Sequence, residues 1–322
     1  MLLSSAARRN ALFLALAAAS WGLGTVISKR AVTEIPPLQL LVVQLGCSVV
    51  ALSLGLMLER RRRPGREARP VGCNARLLDR IGLLNPGASY ALGLIGLTQI
   101  SASLSVLLWA GEPLLILALA WRWLHEPVGN RLVALSGAGL VGMVLVLWSP
   151  GLTGQAAGIV VSLVGVACCA GYSVLTRRWL PDAPSTTRIV LGQQAWALGL
   201  ALGLFAASVL AGRSGATATA ATAISAQGWA SAVVSGLLYY AIAYGFYLRA
   251  LRRVRASVAA AAFYLIPVFG VGGGWALLGE RLEPIQLVGA VIVVLGVGAI
   301  AASPAVTGGT GAASADAETA TA

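Results

Sequence analysis

The sequence predicts an all-α integral membrane protein with ten transmembrane helices, arranged as two inverted five-helix repeats. Hydrophobic residues make up 58% of the 322 residues and charged residues only 11%, whereas a soluble domain has about 25% charged residues. The mean hydropathy is +0.83. Apolar runs of roughly 20 residues, the length that crosses a bilayer as a helix, recur along the chain. These observations place the chain in a membrane, and an internal duplication divides it into two halves.

The duplication is visible in two stretches that align without a gap. An offset of 154 residues places 102–126 over 256–280 and pairs Pro113 with Pro267 and Glu126 with Glu280. Each stretch corresponds to about 30 Å of apolar helix with a proline near its middle. Such a proline leaves the carbonyl four residues earlier without its usual donor, which a polar cavity can replace and lipid cannot.

The apolar runs define five spans in each half. In the first half they cover approximately 11–28, 38–58, 81–97, 103–123 and 132–148, and in the second 157–176, 189–211, 229–248, 257–278 and 285–302. The predicted domains are therefore a first repeat over 1–150 and a second over 151–302. The small polar residues of 303–322 predict a disordered tail. The first run imitates a signal peptide but is long enough to span, so we expect it to be retained.

The positions of arginine and lysine predict the orientation. With the N-terminus inside, 19 of the 23 basic residues fall in inner loops, and the outer side keeps Lys29, Arg30, Arg213 and Arg281. This asymmetry predicts a protein of the inner or plasma membrane with both termini in the cytoplasm. The arginine-rich stretch 59–80 then becomes a cytoplasmic loop, with contact to anionic lipid as a secondary interpretation. The net charge of +12 is explained by basic residues in short inner loops, where they set the orientation in the membrane. We therefore expect no nucleic-acid partner.

Candidate site residues are polar or helix-breaking groups at membrane depth. Glu112 is the strongest, because a carboxyl in the middle of a span costs roughly 2.5–3.5 kcal/mol to insert. It either contacts substrate or a coupling ion, or it is a protonated carboxyl that bonds a neighbouring helix. The other candidates are Pro113, Pro267, Trp21, Asn85, Tyr90, Tyr240, Tyr244 and Tyr264. Tyrosine and tryptophan also serve as interface anchors and core fillers.

Several other features have structural interpretations. The four-residue spacing of Gly199 with Gly203, and of Gly270 with Gly274, favours close helix packing. Glu280, like Glu126, is interpreted as a structural acid at a helix-start turn. The four cysteines have no metal or disulfide spacing, and no phosphate loop or catalytic triad is present. We therefore expect no cofactor, no metal site and no enzyme activity.

The motifs of both halves resemble a known family. They are the small-residue starts ASLS and ASVA, the mid-helix prolines, the endings Leu-His-Glu-Pro and Leu-Gly-Glu-Arg, and the glycine-rich final helices GAGLVGMV and GAVIVVLGVG. Over nearly all of 11–302 the chain resembles the two EamA-type repeats of the drug/metabolite transporter superfamily. In the first repeat, His125 and Pro127 depart from the pattern. The resemblance implies a ten-helix inner-membrane carrier, often an exporter of amino acids or other small metabolites, driven by an ion gradient or by exchange.

The predicted function is therefore secondary transport, with export of small metabolites such as amino acids or drugs by alternating access of the two repeats. The expected partners are a small-molecule substrate and the lipid bilayer, with coupling to protons or another ion and formation of a homodimer as options. A non-transporting membrane scaffold or regulator with the same fold is the alternative. An intramembrane enzyme is a third class, and the lack of paired catalytic groups disfavours it. Substrate identity, import or export, and coupling stay open at this point.

Overall fold

The computed structural model describes residues 5–62, 73–112, 155–179, 186–212, 224–251 and 265–301, together with isolated positions between 115 and 145. All the regular structure in these residues is helical. The helices are α1 (Ser5–Ala31), α2 (Pro37–Arg62), α3 (Cys73–Arg80), α4 (Ser89–Leu97), α5 (Ala102–Trp109), α6 (Ala156–Trp179), α7 (Thr186–Leu210), α8 (Ala226–Gly236), α9 (Ala243–Leu251), α10 (Leu265–Leu278) and α11 (Pro284–Ala301). A 3₁₀ turn (Ile81–Leu83) and a kinked segment (Leu84–Ala88) precede α4, and a π-helical turn (Leu237–Ile242) joins α8 to α9.

Five helices in the described part of the chain are long and apolar enough to cross a membrane. They cover Arg9–Ala31, Pro37–Glu59, Ala156–Ser173, Thr187–Leu210 and Ala226–Tyr247, which match the first, second, sixth, seventh and eighth predicted spans. The third predicted span consists of shorter pieces. Much of the fourth and fifth lies outside the described residues, as do the first part of the ninth and the tail 303–322. The total of ten spans stays a prediction.

The predicted loop 59–80 is helical at both ends. The second helix continues to Arg62, and α3 occupies Cys73–Arg80, while 63–72 lies outside the described residues. The second helix of the other half holds α3 in place: the guanidinium of Arg188 lies 3.2 Å from the Asp79 carboxylate, and the Gln193 amide donates to the Leu78 carbonyl. Burial raises the pKa of Asp79, and the positive charge of Arg188 opposes that shift.

The duplication extends into the third span of each half. An irregular segment precedes a regular helix in both, and an offset of 154 residues maps α4 onto α9 residue for residue. In the first half the helix is kinked at Asn85, where the backbone is extended (φ −145°, ψ 124°), and the Asn85–Pro86 peptide bond is cis. In the second half the segment is a π-helical turn, a widened turn of a kind that is frequent at functional sites. Each half therefore has an irregular third span at the same position.

Close glycine contacts join the halves. A Cβ atom at Gly236 would lie 2.6 Å from the Cα of Gln44 in α2, and one at its repeat partner Gly82 would overlap the carbonyl of Gln193 in α7. Each third span thus packs through a glycine against the second helix of the other half. The two glycine pairs that the sequence predicts to pack closely differ from each other. Gly270 contacts α5, whereas a Cβ at Gly199 would meet none of the described atoms within 4 Å.

Candidate functional site

A small cavity lies at the meeting point of the two halves. Its lining residues come from α1, α2, α4, α5 and the π-helical turn, and they are Thr25, Ser28, Gln44, Tyr90, Gly93, Leu94, Leu97, Ser105, Trp109, Tyr239 and Tyr240. None of these described lining residues carries a charge. The lining combines hydroxyl, amide and aromatic groups with the aliphatic side chains of two leucines.

Two tyrosines mark the symmetry of the site. Tyr90 and Tyr244 are repeat partners at the 154-residue offset, and their hydroxyl oxygens lie 3.2 Å apart, so that either can donate to the other. Contact between equivalent residues is what a two-fold relation between the halves produces at its axis. Because Tyr90 also lines the cavity, the contact between the two equivalent tyrosines lies beside the cavity.

An aromatic cluster surrounds the Tyr90 ring. The ring centroid of Tyr90 lies 5.4 Å from that of Trp109, 5.2 Å from Tyr239 and 5.4 Å from Tyr240. The two contacts with Tyr239 and Tyr240 are edge-on, an arrangement that aromatic pairs favour. Tyr240 is only 2% exposed. The cluster therefore combines rigid aromatic faces with phenolic hydroxyls.

Two buried glutamines support the cavity wall. The Gln44 side-chain nitrogen donates to the hydroxyls of Ser28, at 2.9 Å, and Ser235, at 2.7 Å. The Gln194 nitrogen donates to the carbonyl of Tyr240 at 3.2 Å. Both glutamines are 1% exposed, and such buried amides are costly unless they are hydrogen-bonded. The Gln44 bonds connect α2 to α1 and α8, and the Gln194 bond connects α7 to the π-helical turn, so the two side chains hold the cavity lining from both halves.

Glu112 bridges the halves. It follows the turn Ala110–Gly111 after α5, and its Oε1 atom accepts a hydrogen bond of 3.1 Å from the Ser173 hydroxyl in α6. The Cys169 thiol, one turn earlier in α6, also bonds this carboxyl. Glu112 comes three residues after Trp109 in the chain, and Trp109 is a lining residue. Glu112 itself is not among the described lining residues.

The other predicted residues are divided between the cavity and the packing around it. Tyr90 and Tyr240 line the cavity. Trp21 is buried and contacts Tyr244 edge-on, with 5.4 Å between ring centroids. Asn85 is turned towards its own helix, where its Oδ1 atom accepts from the Ser89 hydroxyl at 2.6 Å. Pro267 is buried near the start of α10. Pro113 and Tyr264 lie outside the described residues.

Sequence reasoning did not select several lining residues, among them Thr25, Ser28, Gln44 and Ser105. One signal was present in α1, where Trp21, Thr25 and Ser28 follow at intervals of four and three residues. That spacing places them on one helix face. A polar stripe on a membrane-spanning helix indicates a face turned away from lipid.

The fold and the site define the class of this protein: a multi-pass membrane protein built from two related halves around a polar cavity. The EamA-like transporter family matches residues 8–148 and again 156–302. The chain belongs to this family, which confirms the predicted resemblance to EamA-type transporters of the drug/metabolite transporter superfamily.

Two individual proteins illustrate the similarity. Protein PecM from Dickeya dadantii (strain 3937) is 28% identical over 138 residues, which are 43% of this chain and 46% of PecM. The chain thus spans about half the length of that relative. A solved crystal structure superposes with a TM-score of 0.60 at 18% identity, and the match covers 91% of this chain and 96% of the other. At this identity the structural match establishes a shared fold.

The tyrosine pair makes a testable prediction. Replacing Tyr90 or Tyr244 with phenylalanine keeps the ring and removes one hydroxyl of the pair. We expect each single variant to lose about 1 kcal/mol of unfolding free energy, the usual net contribution of a hydrogen bond. The double variant should lose less than the sum of the two single losses, because the bond between the two hydroxyls is counted in both single variants. Denaturation of the purified protein in detergent measures all four free energies, and fully additive losses would argue against the contact.

Proposed function

We propose that the protein is a secondary transporter that exports small metabolites, such as amino acids or drugs, by alternating access of two inverted five-helix repeats. The repeats are residues 1–150 and 151–302. The observation that carries the proposal is the contact between Tyr90 and Tyr244 at the cavity. A cavity beside the axis that relates the halves is accessible in turn from either side when the halves rock about it.

The irregular third spans support this mechanism. Each carries an irregular segment at the equivalent position, a kink at Asn85 directly before α4 and a π-helical turn directly before α9. Backbone of this kind is tolerated at membrane depth where it is buried in protein or lines a cavity. Tyr239 and Tyr240 of the π-helical turn line the cavity. Twin irregular segments allow each half to adopt the conformation of the other during a transport cycle.

The lining chemistry indicates the class of solute. Hydroxyls and amides offer hydrogen bonds, and the Trp109 and tyrosine rings offer flat apolar surfaces. A solute with a net charge would have no counter-ion among the described lining residues. This favours solutes without net charge, such as zwitterionic amino acids, and flat drug-like molecules. Glu112, which is not a lining residue, is the candidate for coupling to protons or another cation, and for pairing with a cationic group of the solute.

A binding screen tests this proposal without assuming a direction of transport. Purified protein is heated in detergent with amino acids, aromatic drugs or simple cations. A ligand at a hundred times its dissociation constant is expected to stabilise the protein by about 2.7 kcal/mol. Sucrose at the same concentration is the control for nonspecific stabilisation. A panel in which no solute exceeds the sucrose effect would contradict binding of these solute classes.

The orientation gives a separate prediction. Residues assigned to the outer side contact one another, as when the Glu34 carboxylate accepts from the Ser225 backbone N–H at 2.9 Å. Asp79 and Arg188, assigned to the inner side, form an ion pair. We expect Cys73 to react with a membrane-impermeant thiol reagent only after cells are permeabilised. A cysteine at exposed Thr98 should react in intact cells. Labelling of Cys73 in intact cells would overturn the orientation.

A further inference from the structure

The short turn between α4 and α5, Thr98–Ser101, is held from both halves of the protein. From the first half, the Lys29 ammonium donates to the carbonyls of Leu97, at 2.8 Å, and Ile100, at 2.6 Å. From the second half, Glu280 accepts three hydrogen bonds at the start of α5. The bonds come from the Ala102 N–H, at 2.8 Å, the Ser103 N–H, at 2.9 Å, and the Ser103 hydroxyl, at 2.7 Å.

The sequence interpretation of Glu280 is a structural acid at a helix start, and the structure shows which helix start it contacts. Its carboxylate caps the N-terminus of α5, in the other half of the protein. Charge and geometry both suit the contact, since free N–H groups and the positive end of the helix dipole attract a carboxylate. Gly279, with a positive φ of 67°, provides the backbone turn before Glu280. A Cβ at Gly274 would lie 2.7 Å from Glu280 Oε2, so a small residue is needed there.

The turn forms one end of the cavity. Leu97, whose carbonyl binds Lys29, is a lining residue. Ser105 is also a lining residue, and it lies one helical turn beyond the Ala102 N–H that binds Glu280. The α4–α5 hairpin is therefore a wall of the cavity, and its turn is on the side assigned to the outside. The Glu280 bonds attach this wall to the second half.

We propose that Glu280 is a latch that keeps the outer end of the cavity closed. While its three hydrogen bonds hold, the α4–α5 turn stays against the second half. When they break, the turn separates and the cavity opens outwards. The inference rests on the proposed function, because alternating access is what requires such an opening. Glu280 acts as a positioning residue and does not contact the solute.

Accessibility of a cysteine inside the cavity tests the latch. The reporter is Ser105→Cys in a protein whose native cysteines (Cys47, Cys73, Cys168 and Cys169) are replaced by alanine. A membrane-impermeant maleimide is added to intact cells, and the labelling rate is measured. We expect Glu280→Gln to increase this rate about five- to tenfold, as loss of a charged helix cap implies. In inside-out vesicles, the reporter cysteine should be labelled no faster in the Glu280→Gln variant than in the reporter protein without this substitution.

Glu34 supplies the matched control. Its carboxylate also accepts from a helix-start residue on the same side of the membrane, Ser225 before α8, but it is not a lining residue of the cavity. Glu34→Gln should leave the labelling rate of the reporter unchanged. If the labelling rate increased equally in Glu34→Gln and Glu280→Gln, the outer side of the protein would be loosened in general, and this result would overturn the latch.

A second substitution is included because glutamine retains one acceptor oxygen and can keep part of the hydrogen bonding to α5. Glu280→Ala removes all three bonds and should label at least as fast as Glu280→Gln. Wild-type rates in both variants, with intact size-exclusion profiles, would refute the latch. Labelling needs no substrate, so it is independent of transport. Faster labelling in a protein that moves no solute would support the latch and contradict the transport proposal.

Discussion

Replacing Glu112 with glutamine is expected to abolish proton-coupled or cation-selective flux while expression and folding stay nearly intact. Glutamine keeps the size of the side chain and an oxygen that can accept the hydrogen bond from Ser173. It cannot take up or release a proton, and it cannot pair as an anion with a cationic group of the solute. Uptake into liposomes, measured across about three pH units around neutrality, compares the variant with the wild type.

An alanine variant separates the functional role of Glu112 from its structural role. Glu112→Ala should lose flux and also stability, because it leaves the Ser173 hydroxyl without its acceptor at a cost of about 1–3 kcal/mol. If Glu112 only forms a hydrogen bond between helices, the expected flux of the Glu112→Gln variant is the opposite. In that case Glu112→Gln transports normally with an unchanged pH profile, and the coupling site must be sought among the tyrosines of the cavity.

Alanine at Gly82 or Gly236 is expected to destabilise the protein by about 1–3 kcal/mol or more. A Cβ atom at Gly236 would lie 2.6 Å from the Gln44 Cα, and one at Gly82 would overlap the Gln193 backbone. Backbone atoms cannot turn aside as the end of a flexible side chain can, so the helices must separate. This would also disturb the hydrogen bonds of Gln44 to Ser28 and Ser235.

Thermal unfolding of purified variants measures this effect, and Gly199→Ala and Gly46→Ala are the controls. A Cβ at either control position meets none of the described atoms within 4 Å. Alanine also favours helix over glycine by up to about 1 kcal/mol, so the controls should be neutral or slightly stabilised. If Gly82→Ala and Gly236→Ala unfold at the same temperature as the two control variants, the halves do not pack against each other through these two glycines.

Much of the fold could be predicted from sequence, because the bilayer imposes a simple rule on length and polarity. Five predicted spans coincide with long apolar helices. The interruptions of the third spans were harder to predict. Asn85 and Pro86 signal one of them, but its counterpart LLYYAI contains neither proline nor glycine. Its irregular turn therefore depends on packing that local propensity does not contain.

The site was only partly predictable for a related reason. Tyr90 and Tyr244 could each be selected as aromatic groups with a polar end, and the 154-residue offset relates them. Their meeting depends on how the halves pack. Glu280 shows the same limit, because its position after α10 suggests a local role, while its partners lie 177 and 178 residues earlier in the chain. Contacts between halves are tertiary information that a linear pattern lacks.

The central claim is that solute crosses the membrane through the cavity between the halves. The most direct measurement is counterflow in liposomes that contain purified protein, loaded with unlabelled amino acid and supplied outside with a trace of the labelled compound. Alternating access predicts transient accumulation of label that saturates with concentration and is absent from protein-free liposomes. If no solute that stabilises the purified protein against heat accumulates in the liposomes, transport is contradicted. A non-transporting membrane scaffold or regulator that binds the solute would then account for the fold.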